Sequence, residues 1–422
     1  MTRQTVVVLV ATTMMWVAIA AQPSPTPSVA YVNGRWFDGS RFVTRTMWVA
    51  NDRFVSRPNH VDSTVDLGGG YVVPPFGEAH NHNIEPSPRF DALVRQYLKA
   101  GVFYVQNPNN LPRGRDALTG KINIPDSIDV TFANGGLTGP GGHPHEIVAR
   151  NVARGAWTPA DGDGAFFFTV ADRQAVDRVW AALRSTRPDF VKVYLLYSDE
   201  YSKRLADPAT VGWRGLDPRL LPDVVRRAHA EKLRVAVHVE SAADFHVAVA
   251  AGVDQVGHIP GFRADEKMQL PDPSRFRISR DDARGAARQR INVITTLAAV
   301  AEEVGRGKDT AFRNAVDRLL RANLTVLRDS GVSIVVGSDA YDDTSVAEAK
   351  YLASSGIFDR AVVLRMWSET TPRAIFPGRR IGRLDIGYEA SFLVLEGDPL
   401  ADFSQVSRIR FAVKQGGALD VN

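Results

Sequence analysis

"VVPPFGEAHNHN", residues 72–83, places two histidines one residue apart behind an apolar run and a Pro-Pro break. The piece "GYVVPPF" reads as a β-strand, and an extended backbone turns alternate side chains to one face, so His80 and His82 project side by side. Two converging imidazoles suit one metal ion. Nine histidines in 422 residues give roughly 0.2 such pairs by chance. The pair therefore gains weight only from ligands elsewhere in the chain.

Working outward, strands and helices alternate over residues 74–376, a pattern that argues for βα units and a parallel sheet. Eight strand candidates stand in this span: "GYVVPPF", "GVFYVQN", "IDVTFANG", "FVKVYLLY", "LRVAVHV", "VDQVGHI", "INVITTLA" and "VSIVVGSDA". Helical patterns such as "DRQAVDRVWAALRST" and "PDVVRRAHAEKL" lie between several of them. Eight such units predict an α/β fold, a (β/α)8 TIM barrel with its chemistry on the carboxyl ends of the strands. A doubly wound open sheet is the competitor, but neither a G-x-G-x-x-G fingerprint nor a phosphate loop follows any strand. Outside this span, residues 22–73 and 377–422 hold short β-rich pieces separated by Asn-Gly, Asp-Gly and other turn residues, as in "AYVNGRWFDGSRFVTRTMWVANDRFVS". Both chain ends are expected to build one small β-sandwich domain.

Residues 1–21 begin with one arginine and run into an apolar stretch ending in small residues at Ala18, Ala20 and Ala21, the pattern of a secretory signal peptide. The apolar part is shorter than the ~20 residues of a membrane span, and "QPSPTPS" follows at once, so export to the periplasm or the medium, with no stable span after cleavage, is expected. The charged residues, 51 basic against 47 acidic, leave a net +4, and the arginines are scattered instead of interleaved with aromatics. No nucleic-acid footprint results. With no cysteine, any metal site must use nitrogen and oxygen ligands.

Such ligands recur at the strand ends. After His80 and His82 come Lys192 in the fourth strand, His238 ending the fifth, His258 ending the sixth and Asp339 ending the eighth. Singly, a histidine at such a place is more often a hydrogen-bonded interior residue, and Asp339 could cap a helix. Six in this order are harder to dismiss, because a closed barrel brings strand ends distant in sequence to one rim. Lys192 puts an ammonium inside the apolar "DFVKVYLLY"; burial lowers a lysine's pKa, and a neutral amine can take up carbon dioxide to give a carbamate able to bridge two cations. "GLTGPGGHPHEIVAR", after the third strand, offers His143 and His145 from a glycine-rich loop, with His143 a substrate-binding candidate. Tyr194 shares a face with Lys192 and either lines the pocket or fills the interior. Arg263, in "PGFRAD", is the candidate for holding a substrate carboxylate. His60, His229 and His246 read as surface or structural.

The pieces "EAHNH", "FVKVY", "AVHVE", "VGHIP" and "GSDA", with the tail "TPRAIFPGRRIGRLDIGYEASFLVLEGDPL", resemble the metal-dependent amidohydrolase superfamily, in its imidazolonepropionase and prolidase-like branch. The resemblance covers nearly the whole chain after the leader. One departure is that Glu78 stands where the family commonly has Asp before its His-x-His. The resemblance implies two divalent metal ions, zinc above all: His80, His82 and Asp339 on one, His238 and His258 on the other, with carbamylated Lys192 between them. It implies hydrolysis of a carbon–nitrogen bond by metal-activated hydroxide, with Asp339 as general base and then general acid. A small-molecule amide is the expected substrate, with an Xaa-Pro-type or other dipeptide or an N-acyl amino acid as the alternative, and self-association into homo-oligomers is common in the family. A non-catalytic exported binding or scaffold protein is the reading from a different class.

Overall fold

A computed structural model describes residues 27–261, 273–298, 300–301 and 310–421 of the chain. The expected signal peptide and Arg263 lie outside the described residues. Eighteen strands are described. The first five are β1 (Val29–Phe37), β2 (Phe42–Ala50), β3 (Arg53–Val55), β4 (Ser63–Asp66) and β5 (Tyr71–Val73). They join β16 (Phe392–Leu395), β17 (Ile409–Lys414) and β18 (Gly417–Leu419) in one eight-stranded sheet ordered β18-β17-β16-β5-β1-β2-β3, with β4 beside β1. The link between the chain ends is the antiparallel pairing of β16 with β5, in which Val394 faces Val72. Trp36, Phe54 and Phe392 pack edge to face or tilted in its own apolar cluster.

The stretch "GYVVPPF" is split by its two prolines. Pro74 and Pro75 carry no N–H for a ladder, so the run ends at Val73 in the sheet just described, and β6 (Phe76–Glu78) starts a different one. β6, β7 (Val102–Asn107) and β8 (Asp129–Phe132) form a three-stranded parallel sheet. The remaining strands form a seven-stranded parallel sheet: β9 (Gly136–Thr138), β10 (Phe167–Thr169), β11 (Val191–Tyr194), β12 (Val235–His238), β13 (Gln255–Gly257), β14 (Asn292–Ile294) and β15 (Ser333–Val335), ordered β10-β9-β11-β12-β13-β14-β15. Their strands read as unbroken apolar runs because helices such as Arg173–Ser185 and Leu221–Ala230 cover them.

Among the described residues the strands expected to close an eight-stranded barrel lie in two parallel sheets, with no continuous ladder around them. Two local causes are visible. The third candidate strand breaks where Asn134 and Gly135 take φ of 54° and 102°, leaving β8 in one sheet and moving β9 to the other; a Cβ on Gly135 would stand 2.6 Å from the Ala165 carbonyl oxygen, so only glycine fits there. At the other seam, β15 and β6 are joined by single bonds instead of a ladder: Ala79 N–H donates to the Val336 carbonyl (2.9 Å) and Asp339 N–H to the His80 carbonyl (2.7 Å). Trp367 stacks on Phe76 at 3.6 Å over this seam, and the Val336 N–H donates to Thr371 Oγ1 (2.9 Å).

The end sheet is fastened to the parallel sheets by charge. Lys414 of β17, fully buried, donates to Asp129 of β8 (2.7 Å) and to the Ser127 and Ile124 carbonyls, while Arg379 binds both Asp129 and Glu389 at 2.7 Å. Removing the Lys414 ammonium leaves Asp129 with Arg379 alone and the Ser127 and Ile124 carbonyls without their donor. Lys414→Met is expected to cost about 2 kcal/mol, read as a lower urea midpoint at unchanged slope; an unchanged midpoint would show that Lys414 contributes nothing net.

Candidate metal and active site

His80 lies just past the end of β6 and is pinned from three sides. Glu78, inaccessible to solvent, accepts from the His80 N–H (3.1 Å), the Ser338 N–H (2.8 Å) and the Ser338 hydroxyl (2.6 Å), so one carboxyl group ties the loop carrying His80 to the loop carrying Asp339. Burial pushes its pKa up to about 8 against those hydrogen bonds. Glycines make the space: a Cβ on Gly337 would meet the His80 backbone nitrogen at 2.9 Å, and one on Gly257 would meet the His80 ring at 3.2 Å. His80 and His82 sit in the bend after the strand instead of on it, yet their rings stand 5.3 Å apart.

The strand-end residues converge. Donor atoms of His80, His258 and Asp339 lie within 4.8 Å of one another, His82 Nε2 is 3.5 Å from Asp339 Oδ1, and the His258 ring is 4.4 Å from that of His80 and 4.6 Å from that of His238. His258 and Asp339 both hold left-handed backbone, φ 75° and 51°, a conformation that costs a non-glycine residue free energy and collects at functional sites. Lys192 lies 1% exposed beside them, its ammonium 5.3 Å from the Tyr194 ring. Tyr194 packs on Gly136, where a Cβ would stand 2.5 Å from its ring, and meets the His143 ring at 5.0 Å.

Burial dominates the electrostatics. It holds the His80 imidazole well below its ordinary range, helped by the positive charges of His258, Lys192 and His82, and it lowers His82 to about 4 against a hydrogen bond to the Asn109 carbonyl. Lys192 falls to about 7, burial outweighing Asp339. The neutral imidazoles of His80 and His82, the half-buried Asp339 carboxylate and a buried His80 Nδ1 with no hydrogen-bond partner among the described residues form a donor set short of positive charge, which a divalent cation fits.

All six expected ligands, with His143 and Tyr194, line one cavity of about 960 Å³. His143 is fixed by Glu146, 2.5 Å from its Nδ1, whereas His145 opens the helix His145–Ala153 with its side chain exposed and outside the cavity lining. His229 and His246 pair with Asp254 and Asp282 at the surface, and His60 with Asp62. Two residues went unread in the sequence. Glu240, fully buried with Oε2 3.2 Å from His238 Nε2, had a signal in its place two residues beyond His238 in an apolar strand. Glu78 was noted only as a departure from a pattern, and its bond to Ser338, 260 residues away, has no local trace.

The amidohydrolase family profile matches residues 212–418. Over that span, just under half of the chain, the sequence is similar to the amidohydrolase family, which supports the amidohydrolase superfamily. The chain is a hydrolase acting on carbon–nitrogen bonds, in a family that typically binds metal and acts on small molecules. Solved structures with this fold include an amidohydrolase (18% identity, TM-score 0.70, 93% of this chain and 98% of that one), A. niger ochratoxinase (15%, 0.72, 94% and 96%) and a Xaa-Pro dipeptidase with bound methionine (17%, 0.69, 93% and 99%). No curated protein matches. Among the described residues no helix is long and apolar enough to cross a membrane.

Because Lys192 binds a proton less readily folded than unfolded, the unfolded chain holds more protons between pH 7 and about 10, and stability rises with pH across that window. In metal-free protein, Lys192→Met is expected to flatten this rise in chemical denaturation series; an identical slope would place the lysine in water.

Proposed function

We propose that this chain is an exported hydrolase whose two parallel sheets act as one (β/α)8 barrel holding a binuclear metal centre. The observation that carries the reading is the approach of His80, His258 and Asp339 donor atoms to within 4.8 Å of one another. His80, His82 and Asp339 would hold one ion, and His238 and His258 the second. Zinc suits imidazole and carboxylate donors. Lys192, buried with its pKa near 7, would bridge the ions as a carbamate: its neutral nitrogen bonds to the carbon of carbon dioxide and releases a proton to water. Export rests on the leader of residues 1–21, and the domain division on residues 22–73 and 377–422 against 74–376.

A divalent ion in such a site supplies Lewis acidity, lowering the pKa of a water toward about 7 and polarising a carbonyl. The chain's own residues do the rest. Asp339 takes the proton of the attacking water and returns it to the departing nitrogen. Glu78 keeps Asp339 and His80 in register, Glu146 holds His143 against the substrate, and Tyr194 walls the pocket beside Lys192. The ochratoxinase and dipeptidase neighbours favour an amide joining an acyl group to an amino acid, which takes in the dipeptide and N-acyl amino acid alternatives.

Purified chain screened against N-acyl amino acids, dipeptides and cyclic amides is expected to hydrolyse at least one class, to carry about two ions, and to lose activity on chelation. Asp339→Asn is expected to lower kcat by about 10²–10⁴. A metal-free chain inert to every class would leave the scaffold reading standing.

A further inference from the structure

Beyond the metal group, the cavity has a second wall with its own chemistry. The helix His145–Ala153 and the residue after it place Ile147, Arg150, Asn151 and Arg154 at spacings of three and four, one stripe of the helix, and all four line the cavity. Trp157 and Phe166 continue that wall, packed edge to face at 4.7 Å. Arg150 has no carboxylate partner among the described residues, and Arg154 bonds only the amide oxygen of Asn151 (2.7 Å). By contrast Arg113, Arg115, Arg173 and Arg178, from neighbouring parts of the chain, all pair with acids. Two exposed guanidiniums without acid partners at the rim of one cavity are able to bind an anion there.

The other lining acids do not cancel this pair. Asp339 belongs to the metal group, Glu85 is drawn toward its neutral form by burial, and Asp342 is the one remaining carboxylate. Size narrows the ligand further. A cavity of about 960 Å³ stands at the top of the usual range of about 300–1,000 Å³ for small-molecule sites, more than a dipeptide of small residues fills. The apolar positions, Ile147, Trp157 and Phe166, offer that extra space to a ring.

We propose that Arg150 and Arg154 determine specificity by binding the carboxylate of a bulky N-acyl amino acid whose aromatic part lies against Trp157, Phe166 and Ile147. The inference rests on the reading of the cavity as the site of carbon–nitrogen hydrolysis, and it assigns to the stripe the carboxylate role that the sequence suggested for Arg263. One turn, about 5.4 Å, separates the two arginines along the helix, so a carboxylate can be shared or passed between them. The ring and the anion are recognised by side chains that are not among the expected metal ligands, so recognition and chemistry are separable by substitution.

The test uses the metal-loaded full chain and two probes without a scissile amide: N-benzyl-L-phenylalanine and the corresponding alcohol, which lacks the carboxylate. Calorimetry is expected to show the acid binding about tenfold or more tightly than the alcohol, since a charge-assisted bond to a guanidinium is worth that much. In the Arg150→Gln/Arg154→Gln double variant the two affinities should come together, the alcohol's being unchanged. In parallel, KM for N-benzoyl-L-phenylalanine should rise in the double variant while kcat stays within about twofold. Equal binding of acid and alcohol by the unaltered chain, or a preference that survives the double substitution, overturns the proposal. A preference that behaves as expected in a chain that hydrolyses no amide supports the carboxylate site and instead overturns the hydrolase reading.

Discussion

The seam between β6 and β15 is held by one buried carboxyl group, and the site depends on it. Glu78 engages the backbone of His80 on one side and both the backbone and hydroxyl of Ser338 on the other, with Asp339 next in the chain. No ladder joins these two strands, so the register between the first and last ligand-bearing loops comes from this clamp, from the two backbone bonds flanking it, and from Trp367 stacked on Phe76.

What the clamp assembles is an electrostatic problem. Four imidazoles from the ends of three strands and one ammonium gather around Asp339, and burial drives His80, His82 and Lys192 toward their neutral forms. Neutral bases clustered within a few ångströms leave lone pairs without protons to accept, and the left-handed backbone at His258 and Asp339 adds a further cost. A protein that keeps such an arrangement has the donor set of a cation site, in a chain whose second half matches the amidohydrolase family profile.

Much of this was legible in the chain. Apolar runs located the strands β7, β8 and β11 to β15, while the run expected to lead into His80 holds β5 and only the first residue of β6; the polar residues following these strands are the ones that converge. The ring closure was not legible, because it fails at two places governed by neighbours distant in sequence: the Asn134–Gly135 turn packed on Ala165, and the β15–β6 seam. Arg150 and Arg154 looked like ordinary solvated helix residues; only the tertiary position of their helix turns that stripe onto the cavity. Glu240 was readable from its spacing to His238 but had no partner pattern of its own.

The central claim is that His80, His82 and Asp339 hold one divalent ion and His238 and His258 a second. Anomalous diffraction at the zinc edge, from crystals of full-length protein purified without chelator and supplied with zinc, tests it most directly. The account predicts one peak at about 2.0–2.2 Å from a nitrogen of His80, a nitrogen of His82 and an oxygen of Asp339, and a second at that distance from a nitrogen of His238 and of His258. A map with no peak there, or with the ion bound only elsewhere on the chain, would contradict it.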